Sequence, residues 1–300
     1  MTNEIDAAWA FRRYREIQDR LPSATFSKRS VTCSGSADLI GSYDVFALDS
    51  FGVLNVGEAA VHGATAAVEE LRRAGKKVFV LTNAASTPLA GMRSKYVAMG
   101  FDFADEDIIS SRGLLASALA EFDKGMTWAV AASPDALIEE LPCHAIPLDE
   151  RSVWDADGIV LLGMREWTPR DQHILEEALV QRLRPVLIGN PDLVAPRETG
   201  FTLQPGAFAH ALIDATGIEP VFFGKPYRNA FDELLKRAGP GIEPGRILVI
   251  GDTLHTDILG GAAAGLATAL ATDDGILRGL DVDACIDESG IQPDFVIPGI

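Results

Sequence analysis

Short apolar runs along this chain stop on small polar or acidic residues. Residues 43–48 (Tyr-Asp-Val-Phe-Ala-Leu) run into Asp49, 77–81 (Lys-Val-Phe-Val-Leu) into Thr82 and Asn83, and 246–251 (Arg-Ile-Leu-Val-Ile-Gly) into Asp252. Runs that do not alternate with polar residues predict strands covered on both faces. Between the first two, residues 63–75 read as a helix closed by Gly75, so strand, helix and strand predict a right-handed βαβ unit with parallel strands. The ligand crevice of such a sheet lies at the carboxyl ends of its strands, where Asp49 is placed.

Other elements follow from the same patterning. Ile5, Ala8, Trp9, Phe11, Tyr14 and Ile17 recur at helical spacing, predicting a helix over 5–21 that packs across the outside of the main domain. Residues 23–42, rich in Ser and Thr, read as a loop. Helices are predicted over 85–99 and, after Ile109-Ser110-Ser111, over 113–122. A second rhythm follows, with strands at 128–131, 158–162 and 185–188 and helices at 134–141, 169–182 and 206–216. It does not repeat the Asp49 arrangement, which predicts an inserted domain and not a duplication. The first rhythm resumes at 221–226, with a helix over 229–238, the strand ending at Asp252, a Gly- and Ala-rich helix over 258–265, and strands at 266–271 and 294–297.

Composition narrows the setting. With 300 residues, 47% hydrophobic and 23% charged, the chain is a globular protein of one or two domains. A formal net charge of -17 argues against nucleic acid or an anionic membrane surface as partner, and leaves an anionic substrate dependent on local cations, metal or helix termini. Cys33, Cys143 and Cys285 have neither zinc spacing nor an even count, which suits plain thiols in a reducing cytoplasm. No apolar run approaches the ~20 residues of a membrane helix. The first residues lack the basic and apolar regions of a signal peptide, so a cytoplasmic location is expected.

The strand ends carry the chemistry. Asp49, Thr82, Asn83 and Asp252 gather at one sheet edge, with Lys225 from a loop and Asp257 at a helix start. Neighbouring ionised carboxylates repel and call for a cation, and an all-oxygen set suits Mg²⁺. A carboxylate can also act as a nucleophile toward phosphorus once the phosphoryl charge is neutralised. A hydroxyl, an amide N–H and a lysine are the donors that phosphoryl oxygens require.

This ordered set resembles the haloacid dehalogenase (HAD) superfamily, specifically the NagD-like class IIA group, over about residues 43–297. Asp49 matches the nucleophile, Thr82 the second-motif hydroxyl, Lys225 in Gly-Lys-Pro the third-motif lysine, and Asp252 and Asp257 the fourth-motif acids. Leu81-Thr82-Asn83 and Asn190-Pro191-Asp192 are also similar to stretches of this class. The resemblance implies an α/β fold with a Rossmann-like parallel-sheet HAD core and an inserted α/β cap domain of the class IIA type. The core would comprise residues 43–84 plus 221–300, the cap 85–220, and the N-terminal helix and linker 1–42. It further implies a Mg²⁺-dependent phosphatase acting on a small phosphorylated metabolite, of sugar- or nucleotide-phosphate type. Asp49 would form the aspartyl-phosphate, with Mg²⁺ held by Asp49, the Phe51 backbone carbonyl and Asp252, and Asp257 behind them. Thr82, Asn83, Lys225 and the cap residue Asp192 would contact substrate, with Lys225 also restraining Asp49. A homodimer is expected, since caps of this size often offer an interface.

The sequence departs from the family at Phe51. Family phosphatases carry there a second Asp, the general acid and base, whose contribution is typically about 10²–10⁴-fold. Three readings follow. The first is a phosphatase that is slow, uses another acid, or takes substrates with good leaving groups. The second is a non-catalytic phosphometabolite-binding or regulatory protein that keeps the pocket. The third is a dehalogenase-type hydrolase, which the metal-type acids Asp252 and Asp257 and the large cap disfavour. His255 reads as a surface residue at a helix start or a local acid/base substitute, and His62 as a structural loop residue. Asp192 and Arg197 are candidates for substrate contact on cap closure. Ser111 and Arg112 could serve an anion, although a helix-capping Ser is the plainer account, and Trp128, Trp154 and Trp167 read as cap core or rim.

Overall fold

The computed structural model describes residues 5–26, 29–164, 167–196 and 200–300. Seven parallel strands form the larger sheet, in the order Val31–Thr32, Phe295–Ile297, Ala267–Ala271, Ile247–Gly251, Val45–Leu48, Lys77–Thr82, Ile108–Ser110. Val45–Leu48 lies well inside it and is buried at every position because helices cover both faces. One face packs under the helices Ala64–Arg73 and Leu89–Ala98, through Phe46, Leu48, Val68, Leu71, Met92 and Tyr96. The other packs against Arg228–Ala238 through Val45, Ala47, Phe231 and Leu234. The parallel α/β fold predicted from the strand runs is thus the observed one.

A second, five-stranded parallel sheet has the order Val221–Phe222, Val186–Ile188, Gly158–Leu161, Thr127–Ala131, His144–Pro147. Sheet membership corrects the expected division of the chain in two places. Ile108–Ser110, within the stretch assigned to the cap, pairs with the core strand Lys77–Thr82. Val221–Phe222, assigned to the core, pairs with Val186–Ile188 of the smaller sheet. Both strands are so short that their own residues cannot declare which sheet they complete.

Other local expectations also change. The loop over 23–42 contributes the edge strand Val31–Thr32, two exposed residues too few to show a strand pattern; it is held by backbone bonds from Val31 N–H to the Asp294 carbonyl (2.9 Å) and Cys33 N–H to the Val296 carbonyl (3.0 Å). The helix expected over 134–141 is two short 3₁₀ turns, because Leu137 between them sits at φ 45°. The helix expected at 258–265 is Leu259–Ala263, preceded by one wide π-turn over Leu254–Ile258. Such widened turns often mark functional sites. Antiparallel hairpins at Asn55–Val56/Ala59–Ala60 and Val194–Pro196/Phe201–Leu203 have no counterpart in the sequence pattern. No helix among the described residues is long and apolar enough to cross a membrane.

The N-terminal helix, Ala7–Glu16, is capped by Asp6, whose Oδ1 accepts from Trp9 N–H at 2.7 Å. It does more than lie across the outside of the main domain. Phe11, Tyr14 and Ile17 share one buried cluster with Leu193, Val194, Leu254, Ile258 and Leu259. Arg13 and Arg20 both pair with Asp214 of the helix Pro205–Thr216, while Arg15 pairs with Glu288 of the helix Val282–Ser289 at 3.0 Å. The helix therefore bridges the segment around Leu193 and the loop that carries Asp252 and Asp257.

Candidate active site

The register of the central strands assembles the site. Leu48 lies opposite Ile250 on one side and Val80 on the other, so the residues just beyond, Asp49, Asp252 and Thr82–Asn83, emerge side by side at one sheet edge. Asp257 follows in the π-turn. One carboxylate oxygen from each of Asp49, Asp252 and Asp257 lies within 4.8 Å of the others.

Lys225 enters this cluster from the loop after Val221–Phe222 and is buried. Its Nζ lies 2.6 Å from Asp49 Oδ1 and 2.6 Å from Asp257 Oδ1. An ammonium has three N–H donors, so one remains for an incoming anion. Burial alone would lower the lysine's pKa, but Asp257, Asp49 and Asp192 together hold it above its ordinary value.

Each carboxylate has a defined setting. Asp49 Oδ1 also accepts from Ser50 N–H at 2.6 Å, so both its contacts fall on one oxygen and leave the other without a protein donor among the described residues. Burial pushes the Asp49 carboxyl up to about 8 against the pull of Lys225. Asp252 accepts from Thr253 Oγ1 at 2.7 Å and from Ile276 N–H at 2.8 Å; burial, then the charge of Asp257, pushes it up to about 7. Asp257 Oδ2 accepts from Thr253 N–H and the Thr256 hydroxyl, each at 3.2 Å. Three acids against one lysine leave an excess of negative charge in a buried space. Carboxylates crowded together in a buried space repel, and an all-oxygen donor set fits a hard divalent ion. The acid cluster therefore suits Mg²⁺.

Asp252 is crowded by backbone that only glycine allows. Gly52 sits at φ +76°, and a Cβ there would lie 2.4 Å from Asp252 Oδ2; a Cβ on Gly275 would meet Asp252 Cβ at 2.4 Å. Gly52→Ala is expected to cost roughly 1–2 kcal/mol for the left-handed backbone alone, with further loss as Asp252 is displaced. A denaturant-midpoint comparison with wild type checks this, and an unchanged midpoint contradicts it.

The remaining predicted residues divide into two groups. Thr82 is buried, and its Oγ1 accepts from Ala84 N–H at 3.2 Å, leaving its own O–H to donate. Asn83 departs from the expectation of a phosphoryl donor. Its Nδ2 donates to Asp192 Oδ1 (2.8 Å) and the Lys225 carbonyl (2.9 Å), and its Oδ1 accepts from Lys225 N–H (2.7 Å) and Ser111 Oγ (3.1 Å). Both side-chain N–H groups are committed, so the Asn83 side chain positions Lys225 and Asp192. Burial pushes Asp192 up to about 7. Arg197 lies outside the described residues.

Several side candidates are also resolved. His255 is buried, not on the surface: it stacks on Tyr14 (5.2 Å between ring centroids), meets Phe11 edge-on, and its Nε2 lies 3.2 Å from Gln18 Oε1. Burial holds its imidazole down at about 3, so it anchors the N-terminal helix as a neutral ring. The helix over Ser111–Leu119 is capped by Ser110, while the Arg112 guanidinium donates to the carbonyls of Ala85 and Leu137. The Ser111 hydroxyl donates to Asn83 Oδ1 at 3.1 Å, so both side chains are engaged by the protein itself. His62 is exposed in the turn before the helix Ala64–Arg73, and Trp128 is core of the smaller sheet.

The support behind Asp49 has little signature in the sequence. Ser50 Oγ donates to Asn55 Oδ1 at 2.7 Å and accepts from Tyr96 O–H at 2.9 Å, and Asn55 Nδ2 donates to the Gly57 carbonyl. These bonds fix the loop that carries Phe51, whose half-buried ring has Lys95 Nζ 5.0 Å from its centroid. The Tyr14 hydroxyl oxygen accepts from Leu193 N–H at 3.1 Å, tying the N-terminal helix to the residue after Asp192. Only the Ser and Asn of Ser50-Phe51-Gly52-Val53-Leu54-Asn55, both turn formers, hint at this in sequence.

Fold and acid cluster together define a class: parallel α/β enzymes with acids set on neighbouring strand ends. Comparison with known proteins narrows it. The haloacid dehalogenase-like hydrolase family matches residues 46–144, and a HAD-hydrolase-like family matches residues 222–300. Glycerol-3-phosphate phosphatase of Gallus gallus is 30% identical over 294 residues, covering 87% of this chain and 91% of that protein. A structure from Cytophaga hutchinsonii, described as a possible sugar phosphatase of the HAD superfamily, superposes with a TM-score of 0.79 at 26% identity, over 90% of this chain and 98% of that one. NagD from E. coli K-12 shares the fold, with a TM-score of 0.67 at 24% identity over 86% and 97% of the two chains. The chain belongs to the haloacid dehalogenase-like hydrolases.

Proposed function

We propose that this hydrolase is a Mg²⁺-dependent phosphatase of a small phosphorylated metabolite, acting through an aspartyl-phosphate on Asp49. The observation that carries the reading is the buried cluster of Asp49, Asp252 and Asp257 bridged by Lys225 at 2.6 Å. Relatives named as glycerol-phosphate and sugar phosphatases support it. Mg²⁺ would be held by Asp49 and Asp252, with Asp257 and the Phe51 carbonyl beside them, and would supply charge neutralisation for the phosphoryl group. Ser50 N–H and Lys225 orient Asp49, whose second oxygen faces the phosphorus. Thr82 O–H and the third N–H of Lys225 bind phosphoryl oxygens, while Asn83 holds Lys225 in place.

The test is metal removal. Phosphate release from an aryl phosphate is expected in Mg²⁺ and is lost on chelation, returning when Mg²⁺ is restored. Release that is indifferent to the metal contradicts the reading. Phe51 favours one alternative, a phosphometabolite-binding protein without turnover; it predicts Mg²⁺-dependent binding of inorganic phosphate and no release from any ester.

A further inference from the structure

The N-terminal helix lies outside the matched family segments, which begin at residue 46, yet Tyr14 on that helix joins two parts of the site. Its buried ring stacks on His255, 5.2 Å between centroids, inside the π-turn that carries Asp257. Its hydroxyl oxygen accepts from Leu193 N–H at 3.1 Å, and among the described residues Leu193 N–H has no other acceptor. A buried hydroxyl costs free energy unless it is hydrogen-bonded, and a phenylalanine would fill the same apolar cluster without that cost. What the hydroxyl adds to packing is the bond to Leu193.

That bond stands at the end of a series of contacts that runs to the nucleophile. Asp192, the residue before Leu193, accepts from Asn83 Nδ2 at 2.8 Å. Asn83 Oδ1 accepts from Lys225 N–H at 2.7 Å, and Lys225 Nζ lies 2.6 Å from Asp49 Oδ1. The N–H of Asp192 itself is taken locally, by Asn190 Oδ1 at 2.9 Å, so Tyr14 supplies a hold on this turn from a distant part of the chain. Burial, with the charges of Asp192, Asp252 and Asp257, raises the Tyr14 phenol well above its ordinary pKa, as befits an oxygen placed among the acids of the site. The helix is itself anchored on two sides, by Arg13 and Arg20 to Asp214 and by Gln18 Nε2 to the Ser289 carbonyl at 2.8 Å.

Resting on the phosphatase reading, we propose that Tyr14 is a positioning residue for that reaction: through Leu193 and Asp192 it holds Asn83, and with it Lys225, in register with the acids of the π-turn. It acts through these neighbours and not by contact with the substrate. Its two contacts serve different halves of the site. The hydroxyl fixes the Asp192–Leu193 turn and so the lysine that binds the phosphoryl group, while the ring fixes His255 and so the turn that carries Asp257. The N-terminal helix thereby belongs to the framework of the active site.

The experiment compares wild type with Tyr14→Phe, Tyr14→Leu, Asp192→Ala and the Tyr14→Phe/Asp192→Ala double variant, all in the full chain. Hydrolysis of p-nitrophenyl phosphate gives kcat, KM and the Mg²⁺ concentration for half activity. Calorimetric titration gives the affinity for inorganic phosphate in Mg²⁺, and a thermal melt records stability. Tyr14→Phe keeps the ring, and is expected to raise KM and weaken phosphate binding about tenfold at an unchanged Mg²⁺ requirement, in the range for residues that act through neighbours. Tyr14→Leu loses the ring as well, and is expected also to raise the Mg²⁺ requirement about tenfold, as loss of the support behind metal ligands does. Because the hydroxyl acts through Asp192, the double variant is expected to be no worse than Asp192→Ala alone. A lower melt with wild-type KM and phosphate affinity makes Tyr14 a packing residue and overturns the inference, as do additive losses in the double variant; the phosphatase reading survives either result. If wild type releases no phosphate in Mg²⁺, the phosphatase reading fails, and phosphate affinity across the same variants decides for or against Tyr14. A wild type that neither releases nor binds phosphate overturns both.

Discussion

Asp49→Asn is expected to abolish Mg²⁺-dependent phosphate release, by more than about 10³-fold, while leaving the fold intact. Loss of the proposed nucleophile would remove the covalent route and not merely a favourable contact. The amide oxygen can still accept from Ser50 N–H and Lys225, the two groups that touch Asp49 Oδ1. Removing one of three crowded acids also relieves repulsion with Asp252 and Asp257, both of which raise the Asp49 pKa. The melting midpoint is therefore expected to hold or rise slightly. Rate measurements beside a thermal melt check the pair of outcomes. Full loss of activity with an unchanged melt is the signature of chemistry lost without structure.

Lys225→Met is expected to fail on both counts. Its ammonium is the only cation bonded to Asp49 and Asp257 among the described residues, and removing it leaves two buried carboxylates uncompensated. Breaking a buried pair of this kind typically costs about 3–5 kcal/mol. The loss should be visible as a lower denaturant midpoint, partly recovered by Mg²⁺. Activity should fall by a further ~10²–10³-fold on account of the missing phosphoryl donor, in line with loss of a single electrostatic contact at a transition state. A variant as stable as wild type in chelator would mean that the acids carry protons in place of the lysine's charge.

The chemistry of this site is easier to read from sequence than its support, and the reason is physical. Asp49, Asp252 and Thr82 end unbroken apolar runs, and a buried parallel strand delivers whatever follows it to the same sheet edge. Lys225 is legible only through the resemblance of Gly-Lys-Pro to a family motif, since a loop lysine has no pattern of its own. Asn83 shows the limit. Its position at the strand end is plain, but the four partners of its side chain lie on Asp192, Ser111 and Lys225, far along the chain, and those turn the side chain toward positioning the site. His255 shows it again. Within a polar turn it reads as exposed, and only Phe11 and Tyr14, more than two hundred residues earlier in the sequence, bury it. The short strands Val31–Thr32 and His144–Pro147 leave no signature because their stability comes from backbone pairing and not from side-chain pattern.

Phe51 connects these points. It leaves Asp49, the acid cluster and Lys225 in place and sets a phenyl ring where the resemblance implies the group that moves protons in both steps of the proposed reaction. A slow second step has a direct consequence, because phosphoryl-enzyme should accumulate during turnover. The decisive measurement is an acid quench of the wild-type protein turning over acetyl phosphate in Mg²⁺, followed by peptide mapping by mass spectrometry. The account predicts a phosphoryl adduct on the peptide containing Asp49, labile to hydroxylamine and absent in Asp49→Asn. Sustained phosphate release with no adduct at Asp49, or with the adduct on another residue, would contradict it.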